Sequence, residues 1–293
     1  MATNKKSSRA GMARNSARGS KKNASINIAN AADASEADIT ESFDRNIKIV
    51  KCKNWQVFKS ENINHLFRDE YTLSKRYLFR GHGDEKWSLT SSFDRWFQKR
   101  NINLKRANKA EISREFLSVF KAISEGQPIL PSIWDDEVMT LAVAQHYGVL
   151  TRLLDWTESP YIAAFFAFAS VVDKESSSGN IAVWCLKRDS AIWAGEYGAE
   201  VLEVQSYGNE RLRNQRGKFT RLKATFDSLE EYVNSIEGVE GARGVLQKYL
   251  IPVGEAKKAL ADLDLMGINH SNIFPGVEGC ARAANLRMSI LNS

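Results

Sequence analysis

The feature that most constrains the fold of this chain is an almost wholly apolar segment, Tyr161 to Val172. Ser159 and Pro160 stand directly before it, and these residue types are favoured at the cap and the first position of a helix. The pattern predicts a helix from Pro160 to about Val172. Because such a helix has no polar face, we expect it to be buried at the centre of the core. It is too short to cross a bilayer, which takes about 20 residues, so we expect no membrane span.

Strand-like and helix-like segments interleave irregularly on both sides of this helix. Alternating residues from Ile47 predict a strand, followed by a helix through about Phe67. A regular repeat of strand and helix is missing, which favours an α+β fold with a mixed sheet core and several packed helices. Further strands are predicted at RYLFRGHG, IAVWCLK, VLEVQSY and VLQKYLIP, and helices at about 107–125, 133–147, 228–236, 255–266 and 278–291.

Residues 1–42 form a compositionally distinct, basic segment without an aromatic residue. Such a segment cannot bury enough apolar surface to offset its ordering entropy, so we predict a disordered tail before a domain at 43–293. The chain has a formal charge of +6, but seven lysines and arginines precede the first acidic residue, Asp33. The tail either keeps the protein in solution or binds nucleic acid through its phosphates. A transit peptide is disfavoured because an apolar helical face is missing.

Several classes of protein are disfavoured by what the sequence lacks. The N-terminus has no apolar run of a secretory signal, and three cysteines outside any CxxC spacing suggest neither disulfides nor zinc, so we expect a cytoplasmic protein. The four histidines are also scattered, so we expect no metal site. Motifs of P-loop NTPases, Rossmann enzymes, zinc proteases and serine hydrolases are missing.

The segment FRGHGD provides the first candidate site. Arg80 ends a predicted apolar strand, where its guanidinium suits a bidentate grip on phosphate or carboxylate, and Gly81 allows a close approach of a ligand or of backbone. The alternative is an internal ion pair with Asp84 or Asp155. His82 is a candidate acid, base or hydrogen-bond donor, or else a structural residue.

A denser polar cluster lies in HYGVLTRLLDWT, just before the apolar helix. A helix N-terminus favours an anion, so these side chains predict a ligand site. Alternatively, Asp155 and Thr157 cap the turn and Arg152 pairs with Asp155. The cluster consists of Gln145, His146, Tyr147, Gly148, Thr151, Arg152, Asp155, Trp156 and Thr157.

Two later segments give weaker signals. Gln215 lies in NERLRNQRGKFT, whose basic residues fit a solvated helix face better than a site. Glu278 lies in NHSNIFPGVEG at the start of the terminal helix, where an acidic residue usually complements the helix dipole.

Four of these segments together resemble the FRG domain family. They are Phe79-Arg80-Gly81 with the following WSLTSSFDR, then AQHYGVLTRLLDWTESPYIAAFFA, NQRGKFT and IFPGVEG, in the order of the family and across about residues 45–290. The resemblance implies a cytoplasmic protein of a family found largely in bacteria and phages.

The aromatic-Arg-Gly sequence is also distantly similar to the first core strand of the ADP-ribosyltransferase fold. That likeness implies metal-independent ADP-ribosyl transfer from NAD to a macromolecule, with nucleic acid as a candidate acceptor. Arg80 would hold NAD, Tyr147 or Trp156 would stack on nicotinamide, and a carboxylate would stabilise the cationic ribosyl transition state. The alternative is a non-catalytic module for a nucleotide or phosphate ligand in a bacterial or phage defence or regulatory system. The candidate catalytic residues are Asp155, Glu278 and His146, and the candidate NAD-binding residues are Arg80, Gly81, His82, Tyr147, Thr151, Arg152, Trp156, Thr157 and Gln215.

Overall fold

A mixed eight-stranded sheet organises the protein in the computed structural model, which describes residues 38–63, 76–102, 106–127, 131–172, 178–194, 198–204, 217–223 and 225–292. The strand order is β1-β2-β8-β5-β3-β4-β7-β6. The pair β2 and β8 is parallel, and the other neighbours are antiparallel. The predicted α+β class with a mixed sheet is therefore confirmed. The strands are β1 Ile39–Asp44, β2 Ile47–Cys52, β3 Tyr77–His82, β4 Leu153–Thr157, β5 Asn180–Lys187, β6 Ala199–Leu202, β7 Gly217–Leu222 and β8 Leu246–Pro252.

The helices pack around this sheet, and the longer ones lie close to their predicted positions. A π-helical turn at Phe58–Ile63 follows the first short helix. In the part of the chain that the structure describes, no helix combines the length and apolar character needed to cross a membrane. The helices are α1 Trp55–Val57, α2 Ser92–Lys99, α3 Arg106–Ile123, α4 Pro131–Trp134, α5 Glu137–His146, α6 Pro160–Ala169, α7 Leu229–Asn234, α8 Ala256–Leu265, α9 His270–Ile273 and α10 Val277–Asn292.

Helix α6 is the apolar helix predicted from Pro160 onward. It lies against β3 and β5 in the core. The hydroxyl of Ser159 accepts a hydrogen bond of 3.3 Å from the amide of Ile162, which is the predicted N-cap. A Cβ atom at Gly81 of β3 would lie 1.9 Å from the carbonyl oxygen of Ala163. Glycine at this position therefore allows the helix to touch the strand, so the close approach is made by backbone.

Hydrophobic clusters cover both faces of the sheet. Successive residues of a strand point to opposite faces, so Phe79 and Val183 join the cluster under α6 and α8, while Leu78 and Trp184 join the cluster on the other face. By this alternation Arg80 lies on the face of Trp184, away from α6.

Five elements were absent from the sequence-based prediction: β1, α2, β4, β7 and the short helix α9. The polar cluster expected at a helix N-terminus includes β4, and Gly217–Leu222 of the segment expected as a solvated helix face is the strand β7. The polar cluster does lie directly before α6, but the helix expected over the second segment was wrong for residues 217–220. Both strands were missed because each is short and its pairing partner is distant in sequence. The predicted tail boundary at residue 42 falls inside β1, and residues 1–37 lie outside the described part of the chain.

Candidate functional site

The sheet is interrupted between β3 and β4. The register of this pair joins only Phe79 and Thr157, whereas β3 pairs with β5 over six residues and β4 pairs with β7 over five. Continued pairing would place Gly81 opposite Asp155. Backbone pairing of the two strands does not continue to these residues, and we call the region bounded by Arg80, Gln145 and Asp155 the β3–β4 gap.

The side chain of Arg80 lies at this gap and is only 18% exposed. Its Nη1 donates a hydrogen bond of 2.6 Å to the backbone carbonyl of Asp155 and lies 3.6 Å from Oδ2 of the same residue. The internal ion pair left open by the sequence is thus formed, and Asp155 is the partner. Among the described residues, Nη2 of Arg80 has no hydrogen-bond partner.

The carboxylate of Asp155 faces solvent, with 65% of the side chain exposed, but its position is fixed. Oδ1 accepts a hydrogen bond of 2.7 Å from Nε2 of Gln145, at the end of α5. Oε1 of Gln145 in turn accepts from the hydroxyl of Thr151, which accepts from the amide of Leu153 at 3.3 Å. A continuous polar network therefore joins Arg80 to the start of β4.

His82 holds the other side of the Arg80 guanidinium. Nε of Arg80 donates to Nε2 of His82 at 3.2 Å, while Nδ1 of His82 lies 3.2 Å from the carbonyl oxygen of Trp87 and 3.3 Å from Nε1 of Trp184. An indole N–H can only donate, so Nδ1 contacts both a donor and an acceptor. Burial, and then the charge of Arg80, lower the pKa of His82 to about 3. Burial therefore favours the neutral form of His82, whose two nitrogens contact Arg80 and Trp87.

The site carries an excess of positive charge. Burial lowers the pKa of Arg80, Asp155 opposes this shift, and the nearby guanidinium of Arg95 lowers it further. Arginine stays protonated despite such shifts. Arg95 lies on α2, which is placed beside β4 by a 3.3 Å hydrogen bond from the amide of Phe93 to the carbonyl of Thr151. Nη1 of Arg95 donates to the carbonyl of Thr90, and its charge reaches Arg80.

Three predicted ligand-binding residues have structural partners instead. Nε of Arg152 lies 3.3 Å from Oδ2 of the buried Asp94, not beside Asp155. Trp156 is 2% exposed in the core. Thr157 accepts a 3.1 Å hydrogen bond from the amide of Ser159, so the capping alternative holds for this residue.

The remaining predicted site residues lie outside this network. His146 and Tyr147 are exposed at the end of α5, next to Gln145, with ring centroids 5.2 Å apart. Glu278 is exposed in the first turn of α10 and pairs with Arg282 at 2.5 Å. Within the described part of the chain, no hydrogen bond or ion pair joins Glu278 to the β3–β4 gap. Gln215 lies outside the described residues.

Sequence reasoning missed two residues of the site, Trp87 and Arg95. Both belong to WSLTSSFDR, which contributed only to the family resemblance. No local pattern distinguishes Arg95 from other helical arginines, because its role depends on the placement of α2 beside β4. Among the described residues, no group of three His, Cys, Asp and Glu side chains is arranged to hold a metal ion.

Comparison with known protein families decides what this part of the chain is. The FRG domain model matches residues 75–176. An FRG domain is present. The match includes β3, β4 and every element between them, so the FRG domain supplies Arg80, Gln145 and Asp155. Neither the curated proteins nor the solved structures contain a match to the chain.

Proposed function

We propose that the FRG domain binds a phosphate-bearing ligand at the β3–β4 gap, with Arg80 as the anchor. The observation that carries this proposal is the state of the guanidinium: its Nε and Nη1 are held by His82 and Asp155, while Nη2 has no partner among the described residues. A guanidinium held in this way loses little entropy when it binds an anion, and its planar donors match phosphate oxygens.

The electrostatics of the gap favour an anion over a cation. Arg80 and Arg95 outnumber the carboxylate of Asp155, and the shift of the Arg80 pKa shows that burial and Arg95 disfavour its charge. A bound phosphate offsets both effects on Arg80. Its oxygens replace the water that burial removes from the guanidinium, and its negative charge compensates the repulsion between Arg80 and Arg95.

Isothermal titration calorimetry of the full chain with inorganic pyrophosphate measures the binding affinity and tests the proposal. Hydrogen bonds to charged groups contribute about 1.5–3 kcal/mol, so Arg80→Gln should weaken binding by about ten-fold to a hundred-fold. Arg76→Gln is the matched control, because Arg76 directly precedes the opposite end of β3 and pairs with Asp189. A folded Arg80→Gln variant that binds pyrophosphate as well as the wild type would contradict the proposal.

A second candidate function is ADP-ribosyl transfer from NAD, and the exposed carboxylate of Asp155 beside Arg80 favours it. In this reaction Arg80 binds the pyrophosphate of NAD. The glycosidic C–N bond breaks, its electron pair leaves with nicotinamide, and Asp155 stabilises the positive charge on the ribose. A nucleophile of the acceptor then bonds to the ribose carbon and loses its proton to solvent. The basic residues before Asp33 make nucleic acid a candidate acceptor.

Release of nicotinamide from NAD, measured with nucleic acid or protein as acceptor, tests this second function. Asp155→Asn should abolish release while pyrophosphate binding persists. Glu278→Gln is the comparison, because Glu278 is the other predicted carboxylate and pairs with Arg282. Retained turnover in Asp155→Asn would exclude the assigned role of this carboxylate.

We also place the protein in the cytoplasm. Cys52, Cys185 and Cys280 are all free thiols, as is typical of proteins in reducing compartments.

A further inference from the structure

Trp87 presents an aromatic surface to solvent beside the β3–β4 gap. Its side chain is 48% exposed, which is unusual for a residue that normally buries most of its large surface. The carbonyl oxygen of Trp87 lies 3.2 Å from Nδ1 of His82, its amide donates to the carbonyl of Asp84 at 3.1 Å, and its ring lies edge-on to the imidazole with centroids 6.1 Å apart. The residue is thus exposed but held in position.

The loop of residues 83–91, which carries Trp87, is anchored on both sides of it. Nζ of Lys248 donates to the carbonyl of Glu85 at 2.5 Å, and the amide of Glu85 donates to the carbonyl of Asn180 at 3.0 Å. On the other side, the amide of Leu89 donates to Oε2 of Glu230 at 2.8 Å. These contacts fix the loop before any ligand arrives, so little ordering entropy remains to oppose binding.

A single imidazole connects this ring to the anchoring cation. One nitrogen of His82 accepts from Arg80, and the other lies 3.2 Å from the carbonyl oxygen of Trp87. An anion held by Arg80 therefore lies one side chain away from an exposed indole. A ligand that uses both surfaces must carry a phosphate and a planar ring joined by a short spacer, as a nucleotide does.

We infer that the ligand of the β3–β4 gap is a nucleotide whose base stacks on Trp87. This inference rests on the proposed phosphate site and adds the identity of the group attached to the phosphate. Stacking of a base on an aromatic side chain is tolerant of sequence, because every base has a π-face. Trp87 thereby takes the stacking role that the sequence analysis gave to Tyr147 or to the buried Trp156.

Calorimetric titration of the full chain with pyrophosphate, ribose 5-phosphate and ADP tests the inference. Base stacking contributes about 1–3 kcal/mol, so ADP should bind about five-fold to a hundred-fold more tightly than pyrophosphate or ribose 5-phosphate. Trp87→Ala should remove this advantage and leave pyrophosphate binding unchanged, while Trp87→Phe should retain part of it. If a single-stranded oligonucleotide displaces ADP, the ligand is a nucleotide within a nucleic-acid strand. If the oligonucleotide does not displace ADP, the ligand is a free nucleotide.

Phe43→Ala is the matched control. Phe43 is 44% exposed with the guanidinium of Arg243 over its ring at 4.3 Å, but it lies on β1, an edge strand away from the gap. This variant should bind every ligand as the wild type does.

The failures of the two proposals are distinguishable. Equal affinity for ADP and pyrophosphate, or a Trp87→Ala variant that loses both ligands equally, would overturn the stacking inference and leave the phosphate site standing. Binding of neither ligand by the wild type would overturn both.

Discussion

Arg80 donates a 2.6 Å hydrogen bond to the backbone carbonyl of Asp155, the residue that would face Gly81 if β3 and β4 continued to pair. A side chain thus makes the connection between strands that backbone pairing would otherwise make. This arrangement keeps a guanidinium and a carboxylate at the same interruption of the sheet, 75 residues apart in the chain.

Gly81→Ala should destabilise the protein strongly. The added Cβ would lie 1.9 Å from the carbonyl oxygen of Ala163, and backbone of a buried helix cannot move aside without cost, so we expect a loss of about 1–3 kcal/mol or more. Urea denaturation measures this loss. Gly254→Ala, where a Cβ meets no atom within 4 Å, should leave the free energy of unfolding nearly unchanged. Similar values for the two variants would show that α6 and β3 do not touch in this way.

Asp94→Ala should be severely destabilising because Asp94 is the partner of two buried cations. Its Oδ2 lies 3.3 Å from Nε of Arg152, and its Oδ1 lies 3.4 Å from Nζ of Lys109. Removing one member of a buried ion pair leaves an uncompensated charge and costs about 3–5 kcal/mol. Urea denaturation measures this loss. The exposed pair of Glu278 and Arg282 provides the comparison: Glu278→Gln should cost about 0.5 kcal/mol or less.

His82 should make the folded protein sensitive to acid. Its pKa is lowered from 6.5 to about 3 by burial, whereas the unfolded chain takes up this proton near 6.5. The contribution of the neutral imidazole to stability is therefore complete above pH 6.5 and decreases as the pH falls from there towards 3, by at most about 1.4 kcal/mol per pH unit.

Urea unfolding between about pH 7 and 4 measures this dependence. His82→Gln should flatten it, whereas His146→Gln, at an exposed position, should preserve it. Equal slopes for the wild type and His82→Gln would show that His82 titrates normally in the folded protein.

Cys280 should be the thiol that reacts in the native protein. Burial raises the pKa of Cys52 to about 12 and also raises that of Cys185, so neither forms the reactive thiolate, whereas Cys280 is exposed. A chromogenic thiol reagent should label one cysteine in buffer and all three in denaturant. Cys280→Ser should abolish the native reaction, and rapid labelling of that variant would mean that a buried cysteine is accessible.

Sequence patterns predicted those parts of the fold that depend on interactions between residues close together in the chain. Ser159 and Pro160 start α6 as expected, because a capping hydroxyl and a fixed φ act within one turn. Strand β4 was missed because Leu153–Thr157 has only five residues, and its apolar positions resemble the start of the following helix.

Long-range partners could not be predicted in the same way. The sequence left Arg80 with two candidate partners, Asp84 and Asp155, and the structure shows Asp155. The sequence also suggested an ion pair between Arg152 and Asp155. In the structure Arg152 pairs with Asp94, 58 residues earlier in the chain. Which ion pair forms depends on which strand and helix lie side by side. The residues near each arginine in the sequence do not indicate that arrangement.

The single residue pair between β3 and β4 has a mechanical consequence. Five strands on one side and three on the other are paired there only through Phe79 and Thr157, so separating these two groups breaks fewer backbone hydrogen bonds than separating any other neighbouring strands. A ligand bound between Arg80 and Asp155 would contact both groups of strands.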